Sequence, residues 1–317
     1  MLNRLNEETP FDVFSDVMET LRFRGSIFFR SELAAPWGMS LGSTASPRFH
    51  ILLSGSCFVG VSGEDGIEVR DSEIVMYSGN DAHWIADQPG RPLVPSSDAS
   101  KACQLSNPLF QQGEITHRIM CGLVHFDRDA SHPFIDALPE ILHIPRLGRT
   151  DPLWMTIQLI DTEIQRGKDP NGPIIDRLTE VLFLQLLNHY ISTHQEPAGF
   201  LSALSDRRVY QTLKLIHQAP GHNWTQESLG AQVGMSRATL SRKFQEAVGM
   251  GPIAYLTKWR IMKAHSLAKY TAEPLEQIAD SVGFSSARAL GKAFKRHYGC
   301  TPQKLRRHGS CAEPEEL

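Results

Sequence analysis

From Phe23 to about Val124 short apolar runs alternate with turn residues. FHILL and CFVGV are rich in β-branched and aromatic side chains, and Ser-Gly, Gly-Glu-Asp-Gly and Ser-Gly-Asn-Asp clusters separate such runs. This spacing predicts short strands of a small antiparallel barrel or sandwich. Gln88 to Gln112, rich in Pro, Ser and Asn and lacking periodicity, reads as a long loop, and RIMCGLVHF after it as one more strand. At Asp151 the period becomes helical. Leu153, Ile157, Ile160 and Ile164 share one face, and Ile174, Leu178, Val181, Leu182, Gln185 and Leu186 share another. Two amphipathic helices, about 153–166 and 174–191, are predicted, with GKDPNGP as the turn between them and a joint near residues 194–204 after HQEPAG.

The last third carries a repeat. In TQESLGAQVGMSRATLSRKFQEAVG, residues 225–249, Thr225 with Ser228 opposite marks a helix start, and Leu229 and Val233 lie on one face of that helix. Gly234 supplies a turn that a residue without Cβ makes cheaply. Ser236 then caps a second helix, with Leu240 and Phe244 inward and Arg237, Ala238, Ser241 and Arg242 outward. About fifty residues later LEQIADSVGFSSARALGKAFKRHYG repeats the grammar: Ile278, Val282 and Gly283 take the places of Leu229, Val233 and Gly234. Here Leu290 and Phe294 point inward, one position further from the glycine, and Ala287, Arg288, Gly291 and Lys292 point outward. Between the copies PIAYLTKWRIMKAHSLAKY keeps helical period through Ile253, Leu256, Trp259, Ile261, Ala264 and Leu267, long enough for one rigid spacer. Helix, glycine turn and helix with an exposed basic face is helix-turn-helix grammar.

Charge sharpens this picture. The chain has 317 residues and a net charge of −3, but Asp206 to Arg307 hold 17 Lys and Arg against 6 Asp and Glu. Residues 1 to 204 hold 15 against 26, and Glu313, Glu315 and Glu316 form a short acidic tail. A basic module on an acidic body is the electrostatic footprint of a nucleic-acid binder. The length accommodates two domains or more. MLNRLNEETP lacks the basic and apolar regions of a secretory signal and no apolar run is long enough to span a bilayer, so the cytoplasm is the expected location. Cys57, Cys103, Cys121, Cys300 and Cys311 are odd in number and irregularly spaced, which argues for reduced thiols over a disulfide framework or a zinc ribbon.

SRATLSRKFQEAVGMGPIAYLTKWRIMKA and SVGFSSARALGKAFKRHYGCTPQKLR resemble the AraC/XylS family of bacterial transcription regulators, over about Ser205 to Arg307. The resemblance implies an all-helical domain whose third and sixth helices enter consecutive major-groove segments of double-stranded DNA. It places Ala238, Ser241, Arg242, Ala287, Arg288 and Lys292 at base edges. Of these, Arg242, Arg288 and Lys292 can donate to guanine O6 and N7, Ser241 can take either role, and the alanines can meet a thymine methyl. Arg237, Lys243, Lys258, Arg260, Lys263, Lys295, Arg296, Arg306 and Arg307 read as phosphate neighbours or solvated charge, with an ion-pair role equally open for Arg260. Two departures from the family are Gly230, where alanine is usual, and Gly291 inside the second reading helix, which suggests a more yielding second unit.

WGMSLG, RFHILLSGS, SGNDAHWIAD and IMCGLVHF resemble the cupin-type sensor domain of one branch of these regulators. The fold expectation is α+β: a cupin-like β-barrel sensor at 10–150, a helical connector and dimerisation region at 151–204, and the double helix-turn-helix domain at 205–309. His50 and His83 fall where cupins place metal-binding histidines, with Cys121, His117 and His125 on a neighbouring strand, so the donor set is open to a transition metal. Half-buried, hydrogen-bonded histidines are the other reading. The absence of an H-x-H pattern followed by a glutamate argues against a cupin-class metal enzyme, the alternative function. Cys57, Cys103 and Cys121 are candidate redox sensors, set against inert buried thiols. The expectation is therefore a non-enzymatic transcription activator that answers a small-molecule or redox effector, contacts RNA polymerase and forms a homodimer.

Overall fold

The computed structural model describes residues 12–44, 46–61, 63, 65–79, 81–104, 109–127, 129, 132–167, 172–193 and 199–311, with backbone alone at 103 and 104. The Cys103 side chain, the acidic tail, most of the GKDPNGP turn and HQEPA therefore lie outside the described residues. The elements run α1 (Val13–Thr20), β1 (Arg24–Leu33), β2 (Gly38–Leu41), β3 (Arg48–Ser54), β4 (Ser56–Val61), β5 (Ile67–Arg70), β6 (Glu73–Tyr77), β7 (His83–Ala86), β8 (Val94–Pro95), α2 (Ser96–Gln104), β9 (His117–His125), α3 (Pro133–Asp136) and β10 (Ile141–Ile144). Helices follow: α4 (Pro152–Gln165), α5 (Pro173–Thr193), α6 (Phe200–Ser205), α7 (Arg207–Gln218), α8 (Gln226–Val233), α9 (Arg237–Val248), α10 (Pro252–Tyr270), α11 (Leu275–Ser281), α12 (Ala287–Tyr298) and α13 (Pro302–His308).

Two compact units emerge, and they do not follow chain order. One joins Arg24–His125 with Pro139–Thr193; the other joins Met1–Phe23, Phe126–Leu138 and His194–Leu317.

The sheet unit holds two five-stranded sheets, ordered β1-β9-β3-β6-β10 and β5-β4-β7-β2-β8. All pairings are antiparallel except β2 with β8. Trp37, Met39, Leu41, Leu52, Val59, Val75, Ile85 and Ile119 fill one core drawn from both sheets. The expected barrel or sandwich is thus built from two sheets around one core, and the second sheet ends on the two-residue β8. The expected loop at 88–112 contains β8 and α2. Among the described side chains of SSDASKACQ only Ala99 is buried, and polar residues surround it, so no apolar period announces the helix. On α4, Leu153, Ile157 and Ile160 are buried as expected. The buried face of α5 is instead Ile175, Thr179, Leu182, Phe183, Leu186 and Leu187, while Ile174 and Val181 are 49% and 44% exposed. The expected face is rotated by about one residue, roughly 100°. Close packing of α5 on β1 explains the shift: a Cβ at Gly25 would sit 2.7 Å from Thr179 Cγ2, so β1 admits only small groups of α5 there.

The helical unit is built on α10, which buries Tyr255, Leu256, Trp259, Ile261, Met262 and Ala264 on nearly all sides. α1 and the 126–138 segment supply part of the cover through a buried relay. His132 Nδ1 accepts the Phe134 amide at 3.0 Å, so its Nε2 carries the proton toward the Tyr255 hydroxyl at 3.0 Å. That hydroxyl then donates to His217 Nε2 at 2.7 Å, and His217 Nδ1 donates to Asp16 at 2.8 Å. Lys263 Nζ closes the relay on the other Asp16 oxygen at 2.5 Å. Burial opposes the charge on Asp16, but the bonds from His217 and Lys263 hold its pKa below the ordinary value. Burial lowers the pKa of both His132 and His217, keeping the rings neutral. Removing one partner of a buried charge pair costs about 3–5 kcal/mol. Asp16→Ala should therefore destabilise the helical unit by about 3 kcal/mol in urea unfolding; a loss of a few tenths would show that the relay contributes little.

Candidate functional site

Both helix pairs form as their turn chemistry dictates. Thr225 and Ser228 cap α8 reciprocally, each side-chain oxygen accepting the other's amide at 3.0 and 2.9 Å. Gly234 ends the helix at φ +66°, and Ser236 caps α9 by accepting the Thr239 amide at 3.2 Å. In the second pair Gly283 turns the chain at φ +82° and Ser286 caps α12 through the Ala289 amide at 3.2 Å. The extra residue between glycine and cap is the longer turn that the repeat predicts. Leu240, Phe244, Leu290 and Phe294 are buried in the respective cores.

The opposite faces are open. Ala238, Arg242, Arg288 and Lys292 are exposed, and Ser241 and Ala287 are half-buried. Arg242 pairs with Glu246 at 3.0 Å, but both side chains are over half exposed, so the pair yields to another acceptor at small cost. Arg237 bonds Gln226 and Glu227, each at 3.0 Å, and so ties α9 to α8. Lys243 pairs with Asp206, the residue that caps α7, at 3.0 Å. Lys295 and Arg296 stand exposed at the end of α12.

Three residues placed by the sequence among phosphate neighbours have internal roles instead. Half-buried Arg260 donates to the Pro220 and His222 carbonyls at 2.6 and 2.8 Å and has no ion-pair partner among the described residues. Its guanidinium lies so close to the second turn that a Cβ on Gly283 would sit 2.8 Å from Cζ. Lys263 belongs to the Asp16 relay, and Arg306 donates to the Ala268 and Glu273 carbonyls. The expectation of reduced thiols also fails in one place. Cys300 and Cys311 are joined by a disulfide, because α13 carries the chain back past the end of α12 and leaves their Cα atoms 5.5 Å apart.

In the sheet unit three expected donors meet. His50 on β3 lies opposite Cys121 on β9, with Nδ1 3.0 Å from Sγ, and its Nε2 is 2.8 Å from His83 Nε2 on the other sheet. Tyr77 stacks on His83. The donors form a chain instead of converging: Cys121 and His83 approach opposite nitrogens of the His50 ring, so the three do not surround one point as ligands of a single ion would. His117 is held apart by Trp37, Thr116 and the Ser56 carbonyl, and exposed His125 contacts Ser46. Burial lowers the pKa of His83 to about 4, drives that of His50 well down, and raises the thiols of Cys57 and Cys121. Both thiols stay protonated at neutral pH, which is the unreactive state.

Comparison with known proteins agrees with both halves. Residues 12–192 match the family model described as Cupin, and residues 229–308 match a helix-turn-helix domain. The HTH-type transcriptional regulator AlkR of Acinetobacter baylyi is 27% identical, with 93% of this chain and 99% of that protein covered. The RCS-specific HTH-type transcriptional activator RclR of Escherichia coli is 25% identical, with 89% and 93% covered. Among solved structures, an AraC-type regulator from Chromobacterium violaceum is 26% identical over 36% of this chain and 99% of that one, with TM-score 0.32. Among the described residues, no helix is long and apolar enough to cross a membrane.

The two glycines that depart from the family pattern are opposites in space. A Cβ at Gly230 would sit 2.7 Å from the Met235 carbonyl oxygen, whereas one at Gly291 would meet nothing within 4 Å. Gly291→Ala should stabilise the protein by up to about 1 kcal/mol, the helix-propensity gain. Gly230→Ala should destabilise it by about 1–2 kcal/mol despite the same gain, through overpacking of the turn. Chemical denaturation of both variants checks this, and equal signs would contradict it.

Proposed function

The chain belongs to the AraC-like transcription regulators with a cupin front domain, and from that premise we propose how this DNA-binding regulator reads its operator. α9 and α12 lie in two adjacent major-groove segments. Arg242, Arg288 and Lys292 donate to guanine O6 and N7, Ser241 supplies a hydroxyl, and Ala238 and Ala287 meet thymine methyls. Arg237, Lys243, Lys295 and Arg296 neutralise phosphates and set affinity and salt dependence. The observation that carries this reading is the pair of capped, glycine-turned helices whose second members present cations to solvent over a buried core.

We further propose that the protein works in the cytoplasm as an activator that contacts RNA polymerase and answers an effector bound in its front unit. The mostly apolar space among Phe28, Phe29, Met39, Leu41, Ile85, Ser96 and Cys121 is no larger than a water molecule, so an effector that binds there has to open it. The relatives matched over most of their length are named as regulators, which supports a non-enzymatic role. Met155 and Leu159 on α4, with Ile174 and Val181 on α5, are 44–56% exposed and supply apolar area for pairing two copies.

Arg288→Ala should cost about 1–3 kcal/mol on the cognate site and relax preference at one base pair, whereas Lys295→Ala should weaken binding to all sequences alike. Competition binding on a single-base substitution series checks this, and uniform losses for both variants would contradict base reading by Arg288. Leu159→Glu should shift the protein from dimer to monomer in light scattering; an unchanged mass would remove this helix pair from the interface.

A further inference from the structure

The helical unit holds a group of side chains that DNA reading does not use. Asp129, His265 and Cys311 each offer a donor atom, and these atoms lie within 4.8 Å of one another. His265 Nε2 is 3.3 Å from Asp129 Oδ2, and both side chains are only 6% exposed. The Asp129 carboxylate also receives the Cys311 amide at 3.4 Å, which holds the 311 segment against it. Cys300, 3% exposed, is bonded to Cys311, so reduction of that bond frees a second sulfur next to the three. His265 is fixed from behind by stacking on Phe294 of α12 and by contact with Tyr298.

We propose that, once the Cys300–Cys311 bond is reduced, these four side chains bind one zinc ion as a closed site of two thiolates, one imidazole and one carboxylate. Imidazole and thiolate in a four-donor set select zinc in its tetrahedral, structural form. Ligand bonds of about 2.0–2.3 Å put tetrahedral donor atoms about 3.3–3.8 Å apart, so the Asp129, His265 and Cys311 donors need to contract by up to about 1 Å and the Cys300 sulfur has to swing in beside them. Opening the disulfide permits that, because it releases the sulfurs to move independently. The chemistry balances. A cellular dithiol gives two electrons and two protons to the S–S bond and becomes a disulfide itself; zinc then displaces the two thiol protons. Two thiolates and a carboxylate around a divalent ion leave one negative charge. Lys269, whose Nζ is 2.8 Å from Asp127 and 3.7 Å from Asp129, stands beside the site to offset it. Disulfide and zinc use the same sulfurs, so the two states exclude each other, and a reducing cytosol favours the metal form.

The test uses the full chain. Protein reduced with a phosphine and protein oxidised with diamide are each incubated with zinc chloride and desalted, and bound metal is counted by elemental mass spectrometry. One zinc per chain is expected in the reduced sample and none in the oxidised one. Zinc should also protect Cys300 and Cys311 from alkylation, as read by peptide mass spectrometry, and cobalt in its place should give a thiolate charge-transfer band. Cys311→Ser, at a half-exposed position, and Asp129→Asn should lower zinc affinity at least tenfold while their circular dichroism stays that of the parent. Failure of the reduced protein to retain zinc, protection mapping to other cysteines, or full zinc retention by folded Cys311→Ser would overturn the proposal.

Discussion

The helical unit depends on α10 being buried on almost every side. A helix with Tyr255, Leu256, Trp259, Ile261, Met262 and Ala264 all buried cannot rest against one neighbour, and the two DNA-facing helix pairs leave part of it open. The rest of the cover comes from chain that precedes β1 and chain that follows β9. α1 and the 126–138 segment close over Tyr255 and Trp259, and the polar atoms they bury are satisfied in a single directional relay from Phe134 N–H through His132, Tyr255 and His217 to Asp16. Each proton in that relay has one place to go. A histidine that took a second proton there would have to lose one of its acceptor bonds, and burial keeps both rings neutral even though the bond to the Asp16 carboxylate pulls His217 the other way.

Rigidity behind and freedom in front characterise the reading helices. Their inward residues are locked in close-packed cores, while the cations on their outward faces have no ion-pair partner among the described residues or are held by weak surface pairs. Preorganised backbone with uncommitted side chains suits a surface that must fit a groove of fixed shape and still choose among bases. Arg260 contributes to the rigid part. By bonding the carbonyls of the α7–α8 loop and packing on the Gly283 turn, it links the two helix pairs through backbone atoms, where a flexible ion pair would allow play.

Much of this was legible in the sequence because its signals were local. The caps Thr225, Ser236 and Ser286, the glycine turns, the inward pairs Leu240–Phe244 and Leu290–Phe294, and β9 all follow from spacing alone. What failed was not local. Among its described side chains α2 buries one alanine, β10 is four residues long, and the face of α5 is set by its close approach to Gly25, so no period within these segments could report them. Arg260, Lys263 and Arg306 looked like surface cations because their partners lie about 33 to 247 residues away. The Cys300–Cys311 bond was hidden by the odd cysteine count, since pairing depends on where α13 returns. His50, His83 and Cys121 do lie side by side, but which nitrogen of His50 faces the Cys121 sulfur and which faces His83 is a matter of side-chain rotation.

The interleaved path of the chain has a consequence for synthesis. The helical unit takes up residues from before β1, from between β9 and β10, and from after α5, so the polypeptide passes between units repeatedly as it grows. A ribosome delivers α1 first and α10 almost last. Asp16 must therefore wait, solvated and unpaired, until His217 and Lys263 have emerged more than two hundred residues later. The sheets can assemble during that interval, but the unit that reads DNA can close only when translation is nearly finished. An incomplete chain thus carries no finished reader.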